Sequence, residues 1–240
     1  MKTYKPKEQK TLLVKAIELA LIEANNEMVV LKQHYTEENL RYVVMNRISQ
    51  VKCFGHFPNI NEDDYLLCFQ KQYEKNTFKP DIVSMKFRAN GKNKIINRIN
   101  RLVIELKVNA ATTASDKKEK TNSKLSKDIL KIKKMGSCLS TDLYKVRQYL
   151  KRVDDIQFKN GVVMSVGIPK GKIEEPTIDD FARYTYNLEV VLNKHQKEFL
   201  KETNSSKNLL FAWYNPLINK PELIWLNQKE KIVLGGNKKK

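Results

Sequence analysis

The sequence predicts an α/β fold, and three observations carry that expectation. Amphipathic helical segments alternate with short strand-like segments along the chain. Three strand-like runs at 64–73, 80–87 and 101–108 follow one another, with a polar turn around Asn90-Gly-Lys-Asn93, as in an antiparallel meander. Later, residues 161–168 are almost wholly apolar, which suits a buried strand of the kind that often lies parallel to its neighbours.

Taken in order, residues 7–32 read as a helix, with Leu12, Leu13, Ile17, Ala20, Leu21 and Ala24 near helical spacing. Thr36 then looks like an N-cap for a second helix. Its Leu40, Val44, Ile48 and Val51 form one stripe at ~100° per residue. Glu37 falls within ~25° of that stripe and Glu38 more than ~100° from it, so Glu37 is expected to face the sheet and Glu38 water. The three meander strands follow. Residues 109–124 are polar and read as a loop, and 124–134 as an amphipathic helix with Leu125, Ile129 and Ile132 inward. A further helix is expected at 139–153, the apolar strand at 161–168, a long helix at 177–202 after Pro176, and closing strands at 208–214 and 222–226.

The most informative residues lie on the second and third meander strands. Pro80-Asp81 opens one, and Glu105-Leu-Lys107 sits inside the other. Alternate residues of a strand share a face. Leu102, Ile104, Leu106 and Val108 are thus expected to enter a core, and Val103, Glu105 and Lys107 to point the opposite way. An acidic residue two before a lysine also occurs at Glu8-Gln-Lys10 and Asp116-Lys-Lys118. Those two lie in polar stretches and read as solvated charge. Only Glu105-Leu-Lys107 is framed by alternating apolar residues and preceded by a Pro-Asp strand start. Two acidic oxygens and a lysine at the lip of a sheet are the minimum equipment for divalent-metal cleavage of a phosphodiester.

Composition narrows the partners. With 240 residues and 41% hydrophobic content, the chain has enough apolar material for a real core and is no disordered basic tail. No apolar run approaches the ~20 residues of a membrane span. The basic, amphipathic beginning of the chain argues against a secretory signal, and a cytoplasmic location is expected. Cys53, Cys68 and Cys138, odd in number and without paired spacing, read as free thiols. The formal net charge is +18, and residues 86–159 alone hold 20 Lys or Arg against 7 Asp or Glu. A positive field concentrated around candidate metal ligands favours a polyanionic partner, nucleic acid above an anionic membrane surface. His34, His56 and His195 are scattered, no Gly-rich phosphate loop is present, and no Ser or Cys hydrolase pattern is apparent locally.

The order of these pieces resembles the PD-(D/E)XK nuclease superfamily. It runs from a helix with Glu37 through strands with Pro80-Asp81 and Glu105-Leu-Lys107 to a basic helix and an apolar strand, over roughly 36–168. The resemblance implies a restriction-endonuclease-like α/β core with a central mixed β-sheet flanked by helices. It divides the chain into an N-terminal helix (1–35), a nuclease core (36–168) and a C-terminal helix and strands (169–240) extending the same domain. It implies that Asp81 and Glu105 are metal ligands, with the backbone carbonyl of Leu106 as a third. Lys107 would orient or activate the attacking water and stabilise the phosphate, and Glu37 would support the metal. The cofactor it implies is Mg2+, with Mn2+ able to substitute, and the partner DNA, with RNA left open and a homodimer compatible with cutting both strands. Lys124, Lys127, Lys131, Lys134, Arg147, Lys151 and Arg152 are candidates to follow a phosphate backbone. Trp213, Tyr214 and Trp225 have the chemistry to stack on bases, but their strand pattern favours core packing. The rival expectation is a catalytically silent nucleic-acid-binding module or assembly subunit with the same fold.

Overall fold

The computed structural model describes residues 6–51, 54, 65–69, 80–90, 94–112, 138–151, 158–168, 176–203 and 206–235. The expected basic helix at 124–134, with Lys124, Lys127, Lys131 and Lys134, lies outside these residues. So do Arg152, Gly91 to Asn93 of the expected turn, and most of the 109–124 loop.

The elements in chain order are α1 (Pro6–Leu31), a 3-10 turn (Lys32–His34), α2 (Glu37–Ser49), β1 (Tyr65–Phe69), β2 (Ile82–Asn90), β3 (Lys94–Val108), α3 (Leu139–Lys151), β4 (Asn160–Val166), α4 (Ile178–Glu202), β5 (Asn208–Asn215) and β6 (Lys220–Trp225). The six strands form one sheet in sequential order. β1, β2 and β3 are the antiparallel meander, β3, β4 and β5 run parallel, and β6 returns antiparallel. The sheet is therefore mixed. Its two parallel pairings join strands whose connections include α3 and α4, as parallel neighbours require a crossover.

Local signals set the helix starts. The Thr36 hydroxyl accepts from the Asn39 N–H while the Asn39 side chain accepts from the Thr36 N–H. Thr177 and Asp180 make the same reciprocal cap for α4. β3 is longer than its apolar pattern, because its N-terminal half pairs with β2 through two register shifts that bend the hairpin.

Helices cover both faces of the sheet. On one, Leu13, Ile17, Leu21 and Ala24 of α1 and Leu40, Val44 and Ile48 of α2 pack against Leu102, Ile104 and Leu106 of β3 and Val162 and Met164 of β4. On the other, Leu143, Val146 and Leu150 of α3 and Leu188, Leu192 and Phe199 of α4 pack against Val103, Val163, Phe211 and Trp213. The expected alternation along β3 holds, but both of its faces are buried. β4 is buried along its whole length and parallel to both neighbours, as its apolar sequence predicts. At its start α3 comes so close that a Cβ on Gly161 would lie 2.3 Å from Val146 Cγ1, which is why a strand interior carries glycine there. Trp213 is fully buried with its ring 5.6 Å from that of Tyr184, a core residue as its strand pattern favours. Cys138 is a buried free thiol.

Candidate active site

The meander brings the acidic residues together. Ile82 pairs with Ile104, so the antiparallel ladder sets Asp81 across from Glu105 at the end of the two strands. Asp81 Oδ2 accepts from the Leu106 N–H at 2.8 Å, and Asp81 Oδ1 accepts from Arg41 Nη2 at 3.2 Å. Both its oxygens are engaged, and Leu106 takes part through its N–H. Arg41, buried on α2, also pairs with the exposed Glu38.

Glu37 and Glu38 part as expected. Glu37 Oε1 accepts from Lys107 Nζ at 3.0 Å, joining the first turn of α2 to the end of β3. Glu38 is mostly solvent-facing. Lys107 also lies 3.9 Å from Asp142 Oδ2. Burial pulls the Lys107 ammonium toward neutrality, but Asp142 and Glu37 outweigh it and hold its pKa above the ordinary lysine value.

α3 adds two residues for which sequence reasoning assigned no role in the site. Asp142 is completely buried on the helix face that meets β3. Lys145, one turn on, donates to Asp142 Oδ1 at 2.8 Å and lies 3.8 Å from Glu105 Oε2. Glu37, Lys107, Asp142, Lys145 and Glu105 thus form a chain of alternating charge. A signal for Asp142 was present in the sequence. It interrupts the apolar stripe Leu139, Leu143, Val146, Leu150 of an otherwise amphipathic helix, where a charge belongs only with a partner.

The carboxylates are poorly solvated. Glu105 is 2% exposed, and burial pushes its pKa up to about 8, with Lys145 opposing the rise and Asp81 and Asp142 adding to it. Asp142 is raised in the same way, by burial first and against the pull of Lys107 and Lys145. Glu105 Oε1 and Asp142 Oδ2 are buried without a hydrogen bond. Unsatisfied carboxylate oxygens of this kind are costly and suit an additional positive ligand.

Among the described residues, no three His, Cys, Asp or Glu side chains are arranged to hold a metal by themselves. Magnesium does not require that, because it keeps several waters and is commonly bound through one or two carboxylates. The two orphaned oxygens are hard donors of the type it takes. The donor set therefore fits a divalent cation.

One candidate phosphate contact is corrected. Arg147 is 1% exposed, and its guanidinium pairs with Glu198 and with Glu202 Oε2 at 2.8 Å. It also donates to His195 Nδ1 at 2.8 Å. Its charge is spent between α3 and α4 and is not presented to a ligand. Arginine has no acceptor, so His195 must be neutral at Nδ1 and carry its proton on Nε2, donating to Ser140 Oγ at 2.9 Å. The Ser140–His195 contact does not make a nucleophile, because the group behind the imidazole is a cation where a carboxylate is needed. Lys151 is exposed at the end of α3. No helix among the described residues is long and apolar enough to cross a membrane. In comparisons with protein-family models, with curated proteins and with solved structures, nothing matches this chain significantly.

Proposed function

We propose that this protein is a cytoplasmic, metal-dependent nuclease acting on DNA, with a restriction-endonuclease-like fold and an endonucleolytic mode of cutting. The observation that carries the reading is the meeting of Asp81, Glu105, Lys107 and Glu37 from three elements at one end of β2 and β3. The mixed sheet with helices on both faces and the net charge of +18 support it.

In this reading Glu105, with Asp81 beside it, offers oxygen ligands to Mg2+ or Mn2+. A bound divalent cation neutralises phosphate charge and lowers the pKa of a coordinated water. Lys107 places a fixed positive charge where negative charge grows on the phosphate, and Glu37 holds that ammonium in place. The hydrophobic walls from α2 and α3 limit water and strengthen each of these interactions.

One observation favours the second reading, a silent nucleic-acid-binding module or assembly subunit. Asp81 is fully occupied by Arg41 and the Leu106 N–H, and the other carboxylates face lysines. Such a cluster is paired largely within itself and can hold a fold together without chemistry. The deciding experiment is cleavage of supercoiled plasmid and linear duplex with Mg2+, Mn2+ or EDTA, beside Lys107→Ala. Metal-dependent nicking or cutting that disappears in the variant is the expected result. Absence of cleavage with either metal, alongside salt-sensitive binding that survives Lys107→Ala, would favour the silent module.

A further inference from the structure

α3 places Asp142 and Lys145 against Glu105, so that one ammonium is paired with two buried carboxylates. Lys145 Nζ is 2.8 Å from Asp142 Oδ1 and 3.8 Å from Glu105 Oε2. Each of these carboxylates keeps one oxygen, Asp142 Oδ2 and Glu105 Oε1, buried and without a hydrogen bond. A single positive charge shared by two buried carboxylates leaves them under-neutralised even with Lys107 at 3.9 Å from Asp142. A dipositive ion with a preference for hard oxygen would satisfy both more completely.

The two lysines differ in their freedom to move. The Lys107 side chain is 9% exposed and hydrogen-bonded to Glu37. The Lys145 side chain is 25% exposed, and among the described residues its ion pairs are with carboxylates of the cluster itself. Its flexible stem allows the ammonium to swing outward while its Cα stays on the helix. Lys145 is thus the group that can leave.

We propose that Asp142 and Glu105 are the carboxylate pair of the cation site, and that Lys145 is an internal counter-ion whose ammonium is replaced when a divalent cation binds. The proposal rests on the metal-dependent reading given above and goes further by assigning the second carboxylate to Asp142 of α3 in place of Asp81, whose two oxygens are engaged by Arg41 and the Leu106 N–H. Glu37, 40% exposed and bonded to Lys107, is then a positioning residue.

The test is calorimetric titration of Mn2+ into the full-length, EDTA-treated protein, for wild type, Asp142→Asn, Lys145→Gln and Glu37→Gln, with circular dichroism to establish folding. Asp142→Asn keeps the side-chain shape and is expected to weaken Mn2+ by at least roughly tenfold, the scale of disturbing a metal's surroundings. Lys145→Gln is expected to tighten it severalfold, and Glu37→Gln to leave it within about twofold. Wild-type affinity in Asp142→Asn, or weaker binding in folded Lys145→Gln, overturns the proposal. Should Lys145→Gln fail to fold, Asp142→Asn decides alone. The plasmid assay run on the same wild-type preparation separates the two levels. Metal-dependent cutting with unchanged binding in Asp142→Asn sinks only the α3 assignment, whereas absence of both Mn2+ binding and cutting sinks the nuclease reading with it.

Discussion

Lys107 Nζ lies 3.0 Å from Glu37 Oε1, a contact between residues 70 positions apart that ties the end of β3 to the first turn of α2. A lysine on a strand end has four rotatable bonds, and fixing its ammonium requires an acceptor. Glu37 supplies it, and Asp142 at 3.9 Å supplies a second negative charge on the other side.

The two residues are therefore expected to separate kinetically. Lys107→Ala removes the charge itself and is expected to cost on the order of a hundredfold or more in single-turnover cleavage. Glu37→Gln keeps a weaker acceptor at the same place and is expected to cost roughly tenfold, mostly in kcat. Equal losses in both variants would show that Glu37 does more than position.

Glu105 carries a stability cost that depends on pH. Its folded pKa, about 8, stands above the ordinary 4.5, so protonated Glu105 favours folding and the benefit is lost as pH rises from 4.5 through 8. In EDTA, Glu105→Gln is expected to match wild type near pH 4.5 and to exceed it at pH 8 by on the order of 2 kcal/mol or more, while cleavage is abolished. Urea unfolding at the two pH values measures this. A variant less stable than wild type at pH 8 would mean that the attraction of Lys145 outweighs burial.

His195 acts in the opposite direction. Burial, and then the Arg147 guanidinium, lower its pKa from 6.5 to about 4. The unfolded chain binds that proton first, so stability is lost as pH falls from 6.5 toward 4, by about 3 kcal/mol over the whole window. His195→Gln, which can still accept from Arg147 and donate to Ser140, is expected to flatten this slope. Arg147→Ala is expected to cost roughly 3 kcal/mol at neutral pH by leaving the α3–α4 contact unpaired. Denaturant midpoints between pH 4 and 7 test both.

Salt dependence separates the basic residues by role. Each phosphate contact contributes about −0.9 to the slope of log K against log salt for duplex DNA. Replacing Lys124, Lys127, Lys131 and Lys134 together by Gln is expected to reduce the magnitude of the slope by about 3.6. Arg147→Lys, if folded, is expected to leave it unchanged, because that side chain faces Glu198 and Glu202. Fluorescence anisotropy on a labelled duplex across a salt series provides the measurement.

Among the described residues, the sequence by itself determined the elements and their order. Thr36 and Thr177 caps, the alternation along residues 101–108 and the apolar run at 161–168 are local patterns, and period and capping chemistry are written in neighbouring residues. Charge density likewise follows from composition alone. What only the tertiary structure decided is which charges meet. Asp142 and Lys145 reach Glu105 because α3 lies across β3 and β4, and Arg147, five residues on from Asp142 and so ~140° around the same helix, turns instead to α4 and is neutralised there. A lysine or arginine in a basic helix looks the same in sequence whether it faces water, a phosphate or a buried carboxylate. Its partner is fixed by the angle at which the helix crosses the sheet, a property of packing between segments far apart in the chain.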